Sequence, residues 1–158
     1  MVTDFRALLE ALTDGQVDFV LVGGVALVVQ GAPRTTEDLD ICYARDDRNI
    51  ARLAAALAPF SPRLRGAPAD LPFRLDARTI RSGLNFTLTS LRGDIDLLGE
   101  ITGVGGYAAV ASVSEILTLY GRSIRVMTLD GLERAKRAAG RLKDLADLAH
   151  IAELRKRR

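Results

Sequence analysis

The chain has 158 residues, 48% of them apolar and 27% charged, with a formal net charge of +2 and one cysteine, Cys42. Such a length buries a sizeable core and is most simply one domain over 1–158, and the composition is that of an ordinary globular protein. One cysteine excludes a disulfide framework or a thiolate metal cluster, no apolar run reaches the ~18 residues of a membrane span, and the acidic, amphipathic start is unlike a secretory leader, so a cytoplasmic protein with no membrane partner is expected.

Phe5, Leu8, Leu9 and Leu12 stand at helical spacing, and Asp14-Gly15 closes that first helix. The run VDFVLV (17–22) is short, apolar and rich in β-branched residues, which predicts a buried strand. After Gly23-Gly24, VALVVQ (25–30) reads as a short helix stopped by Gly31 and Pro33. DLDICY (38–43) alternates Leu39, Ile41 and Tyr43 against Asp38, Asp40 and Cys42, a strand with an acidic face. Asp46 is placed to cap a helix over 48–59.

Residues 61–76 are rich in Pro, Arg and Gly and read as a loop. A strand over 84–91, a turn at Arg92-Gly93 and a second strand over 94–101 follow. Residues 101–110 form a Gly-rich connector, and 114–129 a hairpin turning at Gly121-Arg122. Thr128 or Asp130 starts a helix through 131–139, and Gly140 separates it from a last helix over 141–154. The order is α-β-α-β-α-β-β-β-β-α-α, an α+β arrangement with a mixed sheet. Arg155, Lys156, Arg157 and Arg158 form a basic tail, expected to be a solvated, frayed helix end.

The acids carry the chemistry. Residues two apart on a strand share a face, so Asp38 and Asp40 aim both carboxylates at one space, where they repel unless a cation lies between them. Oxygen ligands of this kind suit Mg²⁺, which keeps waters and shares substrate phosphates. A third acid is offered by RGDIDLL (92–98): Asp96 sits within the apolar alternation and is preferred, with Asp94 the other candidate. Gly23-Gly24 stands where a strand hands over to a helix, so backbone N–H groups there would approach a triphosphate closely.

Taken together, VGGVALVVQGAPRTTEDLDI (22–41) and GDIDLL (93–98) resemble the nucleotidyltransferase superfamily with the DNA polymerase β-like fold. The closest resemblance is to its small bacterial AbiEii-like and MNT-like members associated with toxin–antitoxin systems. It spans most of 17–148 and includes LERAKRAAGRLKDLADL (132–148), where such proteins carry a Lys and a later Arg-x-Lys-Asp.

The resemblance implies a mixed sheet flanked by helices, with a C-terminal helical part over about 129–155 and the basic tail at 155–158. It implies transfer of a nucleoside monophosphate from an NTP to a hydroxyl-type acceptor, with release of pyrophosphate. Two Mg²⁺ or Mn²⁺ ions would lie on Asp38, Asp40 and Asp96, the catalytic acids. Gly23, Gly24, Arg34, Lys136 and Lys143 would hold the nucleotide. RNA or a partner protein, such as a cognate toxin or antitoxin, is favoured over a small molecule as acceptor, the basic tail tilting slightly toward RNA.

Two other readings compete. A D-x-D pair also marks haloacid-dehalogenase-type phosphatases and GT-A glycosyltransferases, but there it ends an apolar strand, whereas here polar APRTTE precedes it. The other is a non-catalytic antitoxin or partner-binding module on the same fold, against which the intact glycines and acids weigh. Cys42 and His150 read as structural residues, and GVGGY (103–107) lacks the Lys-Ser/Thr of a P-loop.

Overall fold

The computed structural model describes residues 2–158. Helix α1 (Phe5–Asp14) starts at Asp4, whose side chain accepts a hydrogen bond from the Ala7 N–H, and ends at Gly15. It buries Leu8, Leu9 and Leu12 on one face. Strand β1 (Phe19–Leu21) is buried throughout and leads into α2 (Gly23–Val29), followed by β2 (Asp38–Tyr43). Helix α3 (Asp47–Leu57) has the expected Asp46 cap, which accepts from the Asn49 N–H.

A short strand β3 (Arg63–Leu64), helix α4 (Ala77–Ser82) and strands β4 (Phe86–Ser90) and β5 (Gly93–Leu98) come next. Two-residue strands β6 (Glu100–Ile101) and β7 (Gly105–Gly106) pair with each other and precede α5 (Tyr107–Ser112). The hairpin β8 (Ser114–Leu119) and β9 (Arg122–Met127) leads to α6 (Leu129–Ala139), capped by Thr128 rather than Asp130, and α7 (Asp144–Lys156).

Seven strands form one mixed sheet in the order β3-β4-β5-β2-β1-β9-β8. The β1–β9 and β2–β5 pairs are parallel and the remaining neighbours antiparallel. Leu39 and Ile41 of β2, Ile95 and Leu97 of β5, and Ile50 and Leu53 of α3 are wholly buried in one core, so the alternate residues of β2 and β5 face the other way. That other face carries the acids.

The sequence-based expectations need correction where elements are short. The segment read as a loop over 61–76 contains β3, which extends the sheet by pairing Leu64 with Leu88. The connector over 101–110 contains the end of β6, all of β7 and the start of α5, and α4 lies in a stretch given no element. Six-residue helices span under two turns, too little for an apolar period to register. The strand expected over 94–101 breaks at Gly99, and the last helix starts at Asp144 rather than 141.

The basic tail is solvated as expected, all four residues being exposed, but Arg155, Lys156 and Arg158 are tied to neighbours. Helix α7 runs through Lys156; Arg155 pairs with Asp130 and Glu133, Lys156 with Glu153, and the Arg158 guanidinium donates to the Gln30 carbonyl oxygen at 2.8 Å. No helix among the described residues is long and apolar enough to cross a membrane.

Candidate active site

The acid cluster follows from strand register. Because β2 and β5 run parallel with Asp40 opposite Asp96 and Asp38 opposite Asp94, four carboxylates share the non-core face. Asp38, Asp40 and Asp96 each place a carboxylate oxygen within 4.8 Å of the others. Buried Thr3 ties the two strand starts together: its hydroxyl donates to the Glu37 carbonyl oxygen at 2.6 Å and accepts from the Asp94 N–H at 3.0 Å.

Crowding of like charge shows in the acidities. Burial, then the neighbouring Asp96 and Asp38 charges, pushes the Asp40 carboxyl up to about 7, against a counter-effect from the Gly24 N–H. Burial also raises Asp96, offset in part by the Arg65 guanidinium. One oxygen of Asp40, Oδ1, is buried and has no hydrogen-bond donor among the described residues. A buried carboxylate oxygen without a donor, in a cluster of like charges, is the environment that a hard divalent cation satisfies. The three acids therefore fit such an ion.

The glycine pair belongs to the same construction. The Val22 N–H donates to the Asp40 carbonyl oxygen at 3.0 Å, drawing the start of α2 against β2. Gly23 adopts φ +64°, and a Cβ there would lie 2.2 Å from Asp40 Oδ2. A Cβ on Gly24 would lie 2.9 Å from the Thr36 hydroxyl and 3.2 Å from Arg34 Nη2. Position 23 needs glycine, because its backbone is left-handed and the acid-bearing strand passes so close; at Gly24 side-chain ends leave little room for a Cβ.

The opposite wall is cationic. Arg34 Nη1 donates to both carboxylate oxygens of buried Asp147, at 2.6 and 2.7 Å, although 113 residues separate them. Lys136 lies 2.9 Å from Asp147 and 3.3 Å from buried Asp144, to which Arg141 also donates at 2.9 Å. These contacts, led by the Arg141 hydrogen bond, hold the Asp144 carboxyl down at about 2. Asp147 is also held below its ordinary value: burial pushes it up, but hydrogen bonds from Lys136 and Arg34 outweigh that. Lys143 makes no ion pair among the described residues and remains open to an incoming anion. A cleft of about 790 Å³ separates the two walls and is lined by Gly23, Gly24, Arg34, Asp38, Asp40, Asp96, Lys136 and Lys143.

Solved structures share this arrangement of elements. The lincosamide antibiotic adenylyltransferase LnuA, bound to lincomycin, superposes with a TM-score of 0.60 at 14% identity, covering 98% of this chain and 99% of its own. The fold is that of the nucleotidyltransferases. ANT(2'')-Ia in complex with adenylyl-2''-tobramycin matches at 0.57 and 13% identity, over 96% of this chain and 95% of its own. An antigenic nucleotidyltransferase-like protein from Paracoccidioides brasiliensis matches at 0.54 and 17% identity, over 97% and 77%. No protein-family model matches the sequence, and no curated protein matches it.

Within this nucleotidyltransferase fold the eight residues singled out from sequence all line one cleft. Asp94, the alternative third acid, sits on the same strand face but lies 3.4 Å from the Arg65 Nε and outside the close cluster. Sequence reasoning missed Arg65 itself, which stands among the acids, and the long-range role of Asp147. Arg65 lay in a stretch read as loop, and nothing in the local pattern links it to Asp96, 31 residues on. Arg34 was singled out as a nucleotide contact, but nothing in the local pattern joins it to Asp147, 113 residues on.

Proposed function

We propose that the chain is a divalent-cation-dependent nucleotidyltransferase, moving a nucleoside monophosphate from an NTP to a hydroxyl of an acceptor and releasing pyrophosphate. One observation carries this reading: three clustered acids and a set of lysine and arginine side chains face each other across one cleft on this fold. Asp38, Asp40 and Asp96 would hold Mg²⁺ or Mn²⁺, two ions, which when bound neutralise phosphate charge and make the acceptor hydroxyl more acidic.

The chain's own residues do the rest. Lys136 and Arg34, fixed by Asp144 and Asp147, present cationic groups toward the triphosphate, and Lys143 adds a free ammonium. Gly23 and Gly24 keep the α2 start close enough to the acids that nucleotide and acceptor meet there. In the transfer the acceptor oxygen bonds to the α-phosphorus as the bond to the bridging oxygen of pyrophosphate breaks. Asp96, bordering the open cleft, accepts the acceptor's proton. Positioning and charge neutralisation supply most of the rate.

The acceptor we favour is RNA or a partner protein of a toxin–antitoxin pair, in the cytoplasm where NTP and Mg²⁺ are at hand. The experiment is transfer of α-labelled nucleotide from each NTP, with Mg²⁺ or Mn²⁺, to total tRNA, lysate protein, the protein itself and antibiotics. Label in one acceptor pool that disappears in Asp38→Asn/Asp40→Asn is the expected result. Absence of metal-dependent NTP binding in the wild-type protein would overturn the reading.

A further inference from the structure

Among the described residues, Arg65 is the one cation inside the acid cluster. Its Nη2 donates to Asp96 Oδ1 at 2.8 Å and to the Leu88 carbonyl oxygen at 2.7 Å. Its Nη1 lies 3.6 Å from Asp38 Oδ2 and its Nε 3.4 Å from Asp94 Oδ2. The side chain is not a loose surface arginine swung in by charge. Its own backbone N–H donates to the Thr87 carbonyl oxygen at 3.0 Å, continuing the β3–β4 ladder, and the Leu88 carbonyl fixes the guanidinium independently of any acid. The Nε is buried and makes no hydrogen bond of its own. Strand β3 at the sheet edge ends at Leu64, so the turn residue directly after it, Arg65, delivers a planar fork to the third acid.

We infer that Arg65 is a positioning residue for nucleotide transfer, locking one oxygen of Asp96 so that the other faces Asp40 and the cleft. The inference rests on the proposed function. Two properties of arginine are used, and they separate experimentally. The positive charge offsets part of the negative charge of Asp38, Asp94 and Asp96, which sets how strongly the cluster attracts a cation. The rigid fork bridges Leu88 and Asp96 at once, which a single ammonium does not reproduce. Arg65 touches neither the reacting atoms nor the nucleotide wall, so its loss should act on turnover rather than on NTP affinity.

The test compares wild type with Arg65→Lys, Arg65→Gln and, as a control two residues earlier on β3, exposed Arg63→Gln. Each is followed by thermal unfolding, by titration with Mn²⁺ alone, and by NTP transfer to the acceptor found above. Arg65→Lys should keep wild-type Mn²⁺ affinity yet lose about tenfold or more in kcat, with the KM for NTP unchanged. Arg65→Gln should lose kcat similarly and bind Mn²⁺ at least about threefold more tightly, because a positive neighbour is gone. Arg63→Gln should match wild type throughout. Full kcat in Arg65→Lys, a rise in KM with kcat unchanged, or unaltered Mn²⁺ affinity in Arg65→Gln overturns the inference alone. Failure of the wild-type protein to bind Mn²⁺ overturns both the inference and the function on which it rests.

Discussion

Asp40 shows what a cluster of carboxylates costs before any cation arrives. Its folded pKa is about 7, whereas an unfolded aspartate titrates near ~3.9. Between those values the folded, metal-free protein keeps the proton and the unfolded chain has released it. The unfolded state then binds fewer protons, so this group lowers stability progressively as pH rises from about 4 to about 7, and the penalty is complete above that. Asparagine at position 40 carries no such proton. In a chelator, Asp40→Asn should therefore melt higher than wild type, with the gap opening between about pH 4 and about pH 7. Melting curves across that range decide it; a gap that does not change with pH would mean Asp40 ionises normally.

At the scale of elements, the cationic wall depends on one buried acid in α7. Asp147 accepts from Arg34, which precedes β2, and lies beside Lys136 of α6, so it links the acid-bearing half of the chain to the C-terminal helices. Asp147→Asn leaves Lys136 and Arg34 without their shared counter-charge. The expected cost is about 3 kcal/mol, the low end for removing one partner of a buried pair, since Arg34 is 31% exposed. For a chain of this length that lowers Tm by roughly 6–12 °C. Arg34→Gln should cost less in the Asp147→Asn background than in wild type, a coupling of about 1–3 kcal/mol in a urea double-mutant cycle. Strict additivity would mean the Arg34–Asp147 contact contributes nothing.

Elements also explain what was legible in the sequence. β2 and β5 were readable because apolar residues alternate with acids over Asp38–Ile41 and Asp94–Leu97, and the acids fell on the polar phase. The choice of Asp96 over Asp94 came from the same alternation, whereas the parallel register that sets Asp96 opposite Asp40 is a tertiary fact. Lys136 and Lys143 stood out through resemblance, yet the contacts that bury Lys136 come from acids eight and eleven residues on, brought close by the α6–α7 turn. β3 was invisible: two residues carry no period, and its partner strand lies more than twenty residues away. Arg65 was lost with it.

For the molecule as a whole, the cleft is electrostatically divided. On the sheet side Asp38, Asp40 and Asp96 cluster in the cleft; across from them Arg34, Lys136, Arg141 and Lys143 gather around Asp144 and Asp147. A bare NTP would meet repulsion from the first wall, and a bare cation would leave the second unsatisfied. A cation–triphosphate complex matches both. Mn²⁺ and a non-cleavable α,β-methylene NTP analogue should therefore stabilise the protein together by more than the sum of their separate effects. At about 100 times its Kd the complex should add ~2.7 kcal/mol, or roughly 5–10 °C in Tm for a chain of this size. Thermal shifts with each ligand alone and with both measure the excess directly. Equal sums would mean that the two walls bind their ligands independently, and the acids and cations facing each other across this cleft would then not constitute one site.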